Sequence, residues 1–161
     1  MTLPMFDAVQ EQITSDDRYT PPWIFEELGI TFDLDVAAPE GGVPWIPAKR
    51  FYTKADDGLA QPWDGIVWCN PPFSDPTPWL QRMVSHGNGV FMGPISANAK
   101  WCGTAYDQCG VFTHLVGIRF VHENGEHRTL PTATGLFGFG EVAVNAIITS
   151  DRFVAMRRVT R

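Results

Sequence analysis

Cysteine is scarce in this chain. Its 161 residues include three, Cys69, Cys102 and Cys109. An odd count with no close pair argues against a disulfide framework. Cys69 sits in an apolar run and reads as a small core residue. Cys102 and Cys109 are seven residues apart, two turns of a candidate helix. His86, His114, His122 and His127 show no ligand spacing, so no metal is expected. Long apolar runs are also missing: none reaches the roughly 18 residues of a membrane span. The first residues lack a basic segment followed by an apolar one and do not read as a signal peptide, which leaves the cytoplasm as the expected compartment. Positive charge is in deficit, with 12 Lys and Arg against 18 Asp and Glu and a formal charge of −6. Affinity for phosphate comes largely from Lys and Arg, so the total charge disfavours nonspecific nucleic-acid binding. Local basic patches remain relevant.

The length suits one domain, and hydrophobic residues at 44% allow a core of ordinary size. Thirteen prolines and fifteen glycines suit many loops rather than a helical bundle. Residues 1 to 15 read as an arm or short helix. Thr20-Pro21-Pro22 opens a helix, Thr20 as cap, and Gly29 ends it. Phe32 to Val36 alternates as a strand does. Pro39 to Lys49 is a loop, Phe51-Tyr52-Thr53 a short strand, and Asp56-Asp57-Gly58 a turn. A second helix starts at Thr77-Pro78, presents Trp79, Leu80, Met83 and Val84, and stops at Gly87. Gly89 to Ile95 is the next buried strand, giving a parallel strand–helix–strand crossover. A helix is expected within Ser96 to Cys109, with Trp101, Ala105 and Cys109 inward. One or two strands follow within Val111 to Val121. Residues 122 to 135 read as a mobile loop, with a solvated hairpin tip as the other reading. Gly135-Leu136-Phe137-Gly138-Phe139-Gly140 resembles a nucleotide-binding turn only superficially. Val142 to Ile148 is expected as a central strand and Phe153 to Val159 as an edge strand. The alternation of strands and helices predicts a three-layer α/β sandwich.

The chemistry concentrates in Val67-Trp68-Cys69-Asn70-Pro71-Pro72-Phe73. An apolar strand runs into two prolines, which cannot continue a ladder because they lack an N–H. Asn70 is left at the strand's carboxyl end, where open α/β sheets bind ligands. Such a tetrapeptide suits alkylation of a conjugated amine. The Asn70 side-chain oxygen and the Pro71 carbonyl can hold the two amine hydrogens and localise the lone pair. Phe73 can stack on an extruded base. A plain strand followed by a Pro-Pro turn is the bland alternative. Asp35, near the end of the preceding strand, can accept hydrogen bonds from a ribose or an ammonium group.

Asn70-Pro71-Pro72-Phe73 resembles motif IV of S-adenosylmethionine-dependent N6-adenine and related amino-methyltransferases. Asp16 to Leu28, with its Thr-Pro and amphipathic helix, resembles the opening of the small phage-type DNA N6-adenine methyltransferases. Phe32-Asp33-Leu34-Asp35-Val36-Ala37-Ala38 resembles their second block. Phe51-Tyr52-Thr53 and Asp57-Gly58-Leu59-Ala60-Gln61-Pro62-Trp63 resemble the third. The blocks stand in the family's order and cover about half the chain. Gly93-Pro94-Ile95-Ser96 and Gly117-Ile118-Arg119-Phe120 match more loosely.

The resemblance implies a minimal, single-domain Rossmann-like methyltransferase fold. It implies methyl transfer from S-adenosyl-L-methionine to N6 of adenine in double-stranded DNA, in a phage or prophage protein of a bacterial host. Asn70, Pro71, Pro72 and Phe73 would be the catalytic set. Tyr19, Thr20, Pro21, Asp35, Ala37, Ala38, Asp57 and Leu59 would hold the cofactor. The second block lacks the usual Gly-x-Gly turn, and Ala37 and Ala38 replace it with small side chains. Asp57-Gly58-Leu59 reads equally as an ordinary turn with a buried leucine. Arg119, His122, His127 and Arg128 are the candidate DNA contacts. The C-terminal arginines, Arg152, Arg157, Arg158 and Arg161, read either as a solvated end or as phosphate contacts. A homodimer could span a duplex. Two other functions stay open: an amino-methyltransferase for RNA or protein glutamine, and a noncatalytic DNA- or protein-binding module on the same fold.

Overall fold

The computed structural model describes residues 18–159. The arm expected over residues 1 to 15, Asp16 and Asp17 of the opening block, and Arg161 lie outside the described residues.

Helix α1 (Pro22–Leu28) begins with proline in its first turn and ends at Gly29, whose left-handed φ of 59° lets its N–H reach the Phe25 carbonyl. Strands β1 (Leu34–Asp35) and β2 (Val67–Cys69) then lie parallel, with Leu34 opposite Val67 and Asp35 opposite Trp68. Helix α2 (Thr77–His86) crosses over to β3 (Gly89–Pro94), which is parallel to β2. Helix α3 (Lys100–Gln108) leads to β4 (Val111–Leu115). A separate two-stranded ribbon follows, β5 (Arg119–Val121) against β6 (His127–Thr129). Strand β7 (Thr134–Phe139) runs antiparallel between β3 and β4, and helix α4 (Gly140–Thr149) closes the order. The main sheet is ordered β1-β2-β3-β7-β4.

Alternation along the strands builds two cores. Trp68, Val90 and Met92 face α1 and α4, meeting Phe25, Leu28, Ala143 and Ile147. Val67, Cys69 and Phe91 face α2 and α3, meeting Leu80, Met83 and Trp101. Burying each large apolar side chain contributes about 1.5–3 kcal/mol relative to exposure. Helices on both faces of the sheet make the three-layer α/β sandwich that the sequence implied, compatible with a Rossmann-like methyltransferase.

Several local expectations change. Val142 to Ile148 lies within helix α4, not a central strand, because Ala143 and Ile147 stack four apart against the sheet. The glycine-rich run at 135–140 is mostly strand β7 rather than a turn. A Cβ on Gly135 would stand 2.6 Å from Ile95, so glycine there permits close packing. Residues 122 to 135 contain β6 and the start of β7, and so form the hairpin alternative. Phe51 makes one bridge to Asp35, and Met156 one bridge to Phe112, in place of two fuller strands. Cys109 ends α3 half-buried, while Cys102 takes the inward position. Thr20 does not cap α1: Pro21 holds that position without a side-chain bond, and the Thr20 hydroxyl turns into the core. Helix α2 does start at Thr77, with Pro76 at its cap position.

Candidate functional site

The parallel pairing of β1 and β2 brings two chain segments, more than thirty residues apart in sequence, to one sheet edge. Beyond their carboxyl ends opens a cavity of about 440 Å³, a size typical of small-molecule sites. Tyr19, Thr20, Asp35, Ala37, Ala38, Asp57, Asn70 and Pro72 all line it. Pro21, Leu59, Pro71 and Phe73 are not among its lining residues.

Asp35 is 4% exposed. The Ala37 N–H donates to its Oδ1 at 3.2 Å, and no cation pairs with it among the described residues. Burial pushes its carboxyl up to about 7, against the lowering effect of that N–H. Asp33, by contrast, is half-exposed: Lys49 and the Ile66 N–H hold its carboxyl below the ordinary range. The two aspartates of the alternating segment thus separate into a structural ion pair and a carboxylate facing the cavity.

Asn70 is half-buried, and its amide is oriented by its neighbours. Nδ2 donates to the Arg18 carbonyl at 3.3 Å and to Thr20 Oγ1 at 3.3 Å. Oδ1 has no partner among the described residues. The Thr20 carbonyl accepts from Trp45 Nε1 at 2.8 Å, which ties the 39–49 loop to the cavity rim.

The turn after Thr53 also lines the cavity. Asp56 accepts from the Thr53 N–H and hydroxyl, which lowers its carboxyl pKa. Asp57 takes φ of 56°, a conformation uncommon outside glycine. Gly58 packs so closely that a Cβ would stand 2.1 Å from the Val36 carbonyl oxygen. Trp79, Lys54, Val43, Ile46 and Arg18 also line the cavity and escaped the sequence reading. Trp79 had one available signal: it follows Phe73 by six residues, at the start of the next helix. Its ring stacks on Trp63 at 6.5 Å.

Phe73 lies outside the cavity, edge-on to Phe120 of β5 at 6.1 Å, with the Arg18 guanidinium 5.5 Å from its ring centre. Tyr19 pairs with Val121 through two backbone hydrogen bonds, so the β5–β6 ribbon is anchored beside Asn70. Arg119, His127 and Arg128 are exposed on that ribbon. His122, by contrast, is 5% exposed. Among the described residues no helix is long and apolar enough to cross a membrane, and no cluster of three His, Cys, Asp or Glu could hold a metal ion.

A family model described as DNA N-6-adenine-methyltransferase (Dam) matches residues 9–128. The DNA N-6-adenine-methyltransferase of Haemophilus phage HP1 (strain HP1c1) is 33% identical over 100 residues, covering 56% of this chain and 54% of that protein. The chain therefore spans about half the length of this curated relative. No solved structure matches it.

Proposed function

Because the chain belongs to the DNA N-6-adenine-methyltransferase (Dam) family, we propose that its described residues form one methyltransferase domain that uses S-adenosyl-L-methionine to methylate N6 of adenine in double-stranded DNA. The observation that carries this reading is the state of Asn70. Asn70 lines a cofactor-sized cavity with Nδ2 donating to two acceptors and Oδ1 left unpaired among the described residues.

The cavity suits that cofactor on its donor set. Asp35 offers a buried carboxylate with acceptor capacity left over, suited to an ammonium or ribose hydroxyl. Ala37 and Ala38 allow close approach, and Tyr19, Thr20 and Asp57 line the same cavity. Trp79 adds an aromatic surface. When bound, S-adenosylmethionine supplies a methyl group activated by a sulfonium.

The chain's own contribution is positioning. Asn70 Oδ1 and the Pro71 carbonyl hold the amine hydrogens of an extruded adenine and turn its lone pair towards the cavity. Pro72 fixes the loop that carries both acceptors. Phe73 offers a ring face to the base, and its contacts with Phe120 and Arg18 hold that ring in place. The ribbon carrying Arg119, His127 and Arg128 contacts the duplex backbone.

The test is to incubate the protein with unmethylated duplex DNA and the methyl-labelled cofactor, then digest the DNA to nucleosides. Label in N6-methyladenine, absent with Asn70→Ala, is the expected result. Label confined to RNA or protein, or no transfer by folded protein, would overturn the proposal.

A further inference from the structure

An asparagine amide is nearly symmetric in shape but opposite in polarity at its two ends. Turned over, Asn70 would present N–H donors to an amine that needs an acceptor. Something must therefore fix its orientation, and the surrounding atoms supply a directional chain. The Thr20 side chain is fully buried. Its hydroxyl donates its single proton to Met92 Sδ at 3.4 Å. With that proton engaged, Oγ1 can only accept, and it accepts from Asn70 Nδ2 at 3.3 Å. The Arg18 carbonyl, which is acceptor-only, takes the second amide hydrogen. Met92 is itself fully buried at the centre of the sheet, on the face that packs against α1.

We propose that Thr20 is a positioning residue for Asn70: the chain Met92 Sδ, Thr20 Oγ1, Asn70 Nδ2 sets the polarity of the amide so that Oδ1 meets the amine. This rests on the methyl-transfer reading above and adds a role for the Thr20 side chain distinct from the cofactor contact of its backbone. The segment that lines the cofactor cavity thereby also orients the group that holds the acceptor amine.

Two variants separate this from packing. Thr20→Val keeps the shape and removes the hydroxyl; Thr20→Ser keeps the hydroxyl and removes a methyl. Thr20→Val should lower kcat by about 10- to 100-fold, the scale of a misplaced catalytic group, with the dissociation constant of S-adenosylmethionine changed less than about twofold. Thr20→Ser should recover most of the loss. Met92→Leu, a volume-conserving change, leaves Thr20 and removes its acceptor. The freed hydroxyl proton can then donate to a turned amide, so kcat should fall here as well. The inference is overturned if Thr20→Val retains wild-type kcat, if Thr20→Ser is as impaired as Thr20→Val, or if cofactor affinity falls in parallel with kcat. The side-chain amide signals of Asn70, followed by nitrogen NMR, give a readout independent of turnover. They should shift in Thr20→Val and hold in Thr20→Ser; unchanged signals in both would contradict the proposed chain. If wild-type protein transfers no methyl while the amide signals shift in Thr20→Val and hold in Thr20→Ser, the methyl-transfer reading is overturned and the hydrogen-bond chain stands.

Discussion

Asp35 stands opposite Trp68 on neighbouring parallel strands, which places a buried carboxylate two residues from the level of Asn70. This register brings Asp35 and Asn70 to the same end of the sheet, where both line the cavity. It also leaves Asp35 without a counter-charge among the described residues, and a titration near neutral pH follows.

The Asp35 carboxyl, pushed up to about 7 by burial, predicts a pH-dependent stability. Its folded value lies above the unfolded value of about 3.9. Between those values the native state holds a proton that the unfolded chain has released. The contribution to stability is therefore fully present below about pH 4 and is lost as pH rises through about 7, by a few kcal/mol. Asp35→Asn should remove this slope. Denaturant melts of both proteins from pH 4 to 8 should show curves that diverge upward in pH, with the variant more stable at pH 8. Parallel curves would contradict the buried, unpaired state of Asp35.

Gly58 sits where the cavity turn presses on the end of β1. An added methyl meets the Val36 carbonyl at 2.1 Å, so the backbone must move. Gly58→Ala should cost about 1–3 kcal/mol of stability and weaken cofactor binding, because Asp57 moves with the turn. Thermal melts and cofactor titration of the variant check both effects; unchanged values in the two would mean that the turn is not held against Val36.

The β5–β6 ribbon predicts a separation of DNA affinity from cofactor affinity. Arg119→Ala should weaken duplex binding and reduce the slope of log affinity against log salt by about 1. S-adenosylmethionine binding should not change, since Arg119 lies outside the cavity. Arg128, already paired with Glu126, should matter less. Fluorescence anisotropy with labelled duplex at several salt concentrations measures both. An unaltered salt slope for Arg119→Ala would remove the ribbon from the DNA interface.

The parts of this fold readable in sequence were local. Gly29 and Gly87 mark helix ends because a left-handed residue is needed there. The run into Asn70-Pro71-Pro72 marks a strand end because proline stops a ladder. Helix α4 was not readable in this way. Val142, Val144, Ile147 and Ile148 favour strands, and only tertiary packing of Ala143 and Ile147 selects the helix. The ribbon strand β6 is exposed at every residue, so no alternation announces it. At the site, the strand alternation and the Pro-Pro stop made the strand-end positions of Asp35 and Asn70 legible. The tie between Thr20 and Asn70 spans fifty residues and depends on which acceptors surround one amide. The packing of Phe73 on Phe120 likewise appears only when the ribbon folds back.

Calorimetric titration of S-adenosylmethionine into wild-type, Asp35→Ala and Asn70→Ala proteins tests the cofactor site and the Asn70 role together. Wild-type protein should bind near the micromolar range, about −8 kcal/mol. Asn70→Ala should keep nearly the same affinity, and Asp35→Ala should lose it markedly. Absence of binding by folded wild-type protein would contradict the cofactor site, and with it the assignment of Asn70 as the residue that holds the acceptor amine.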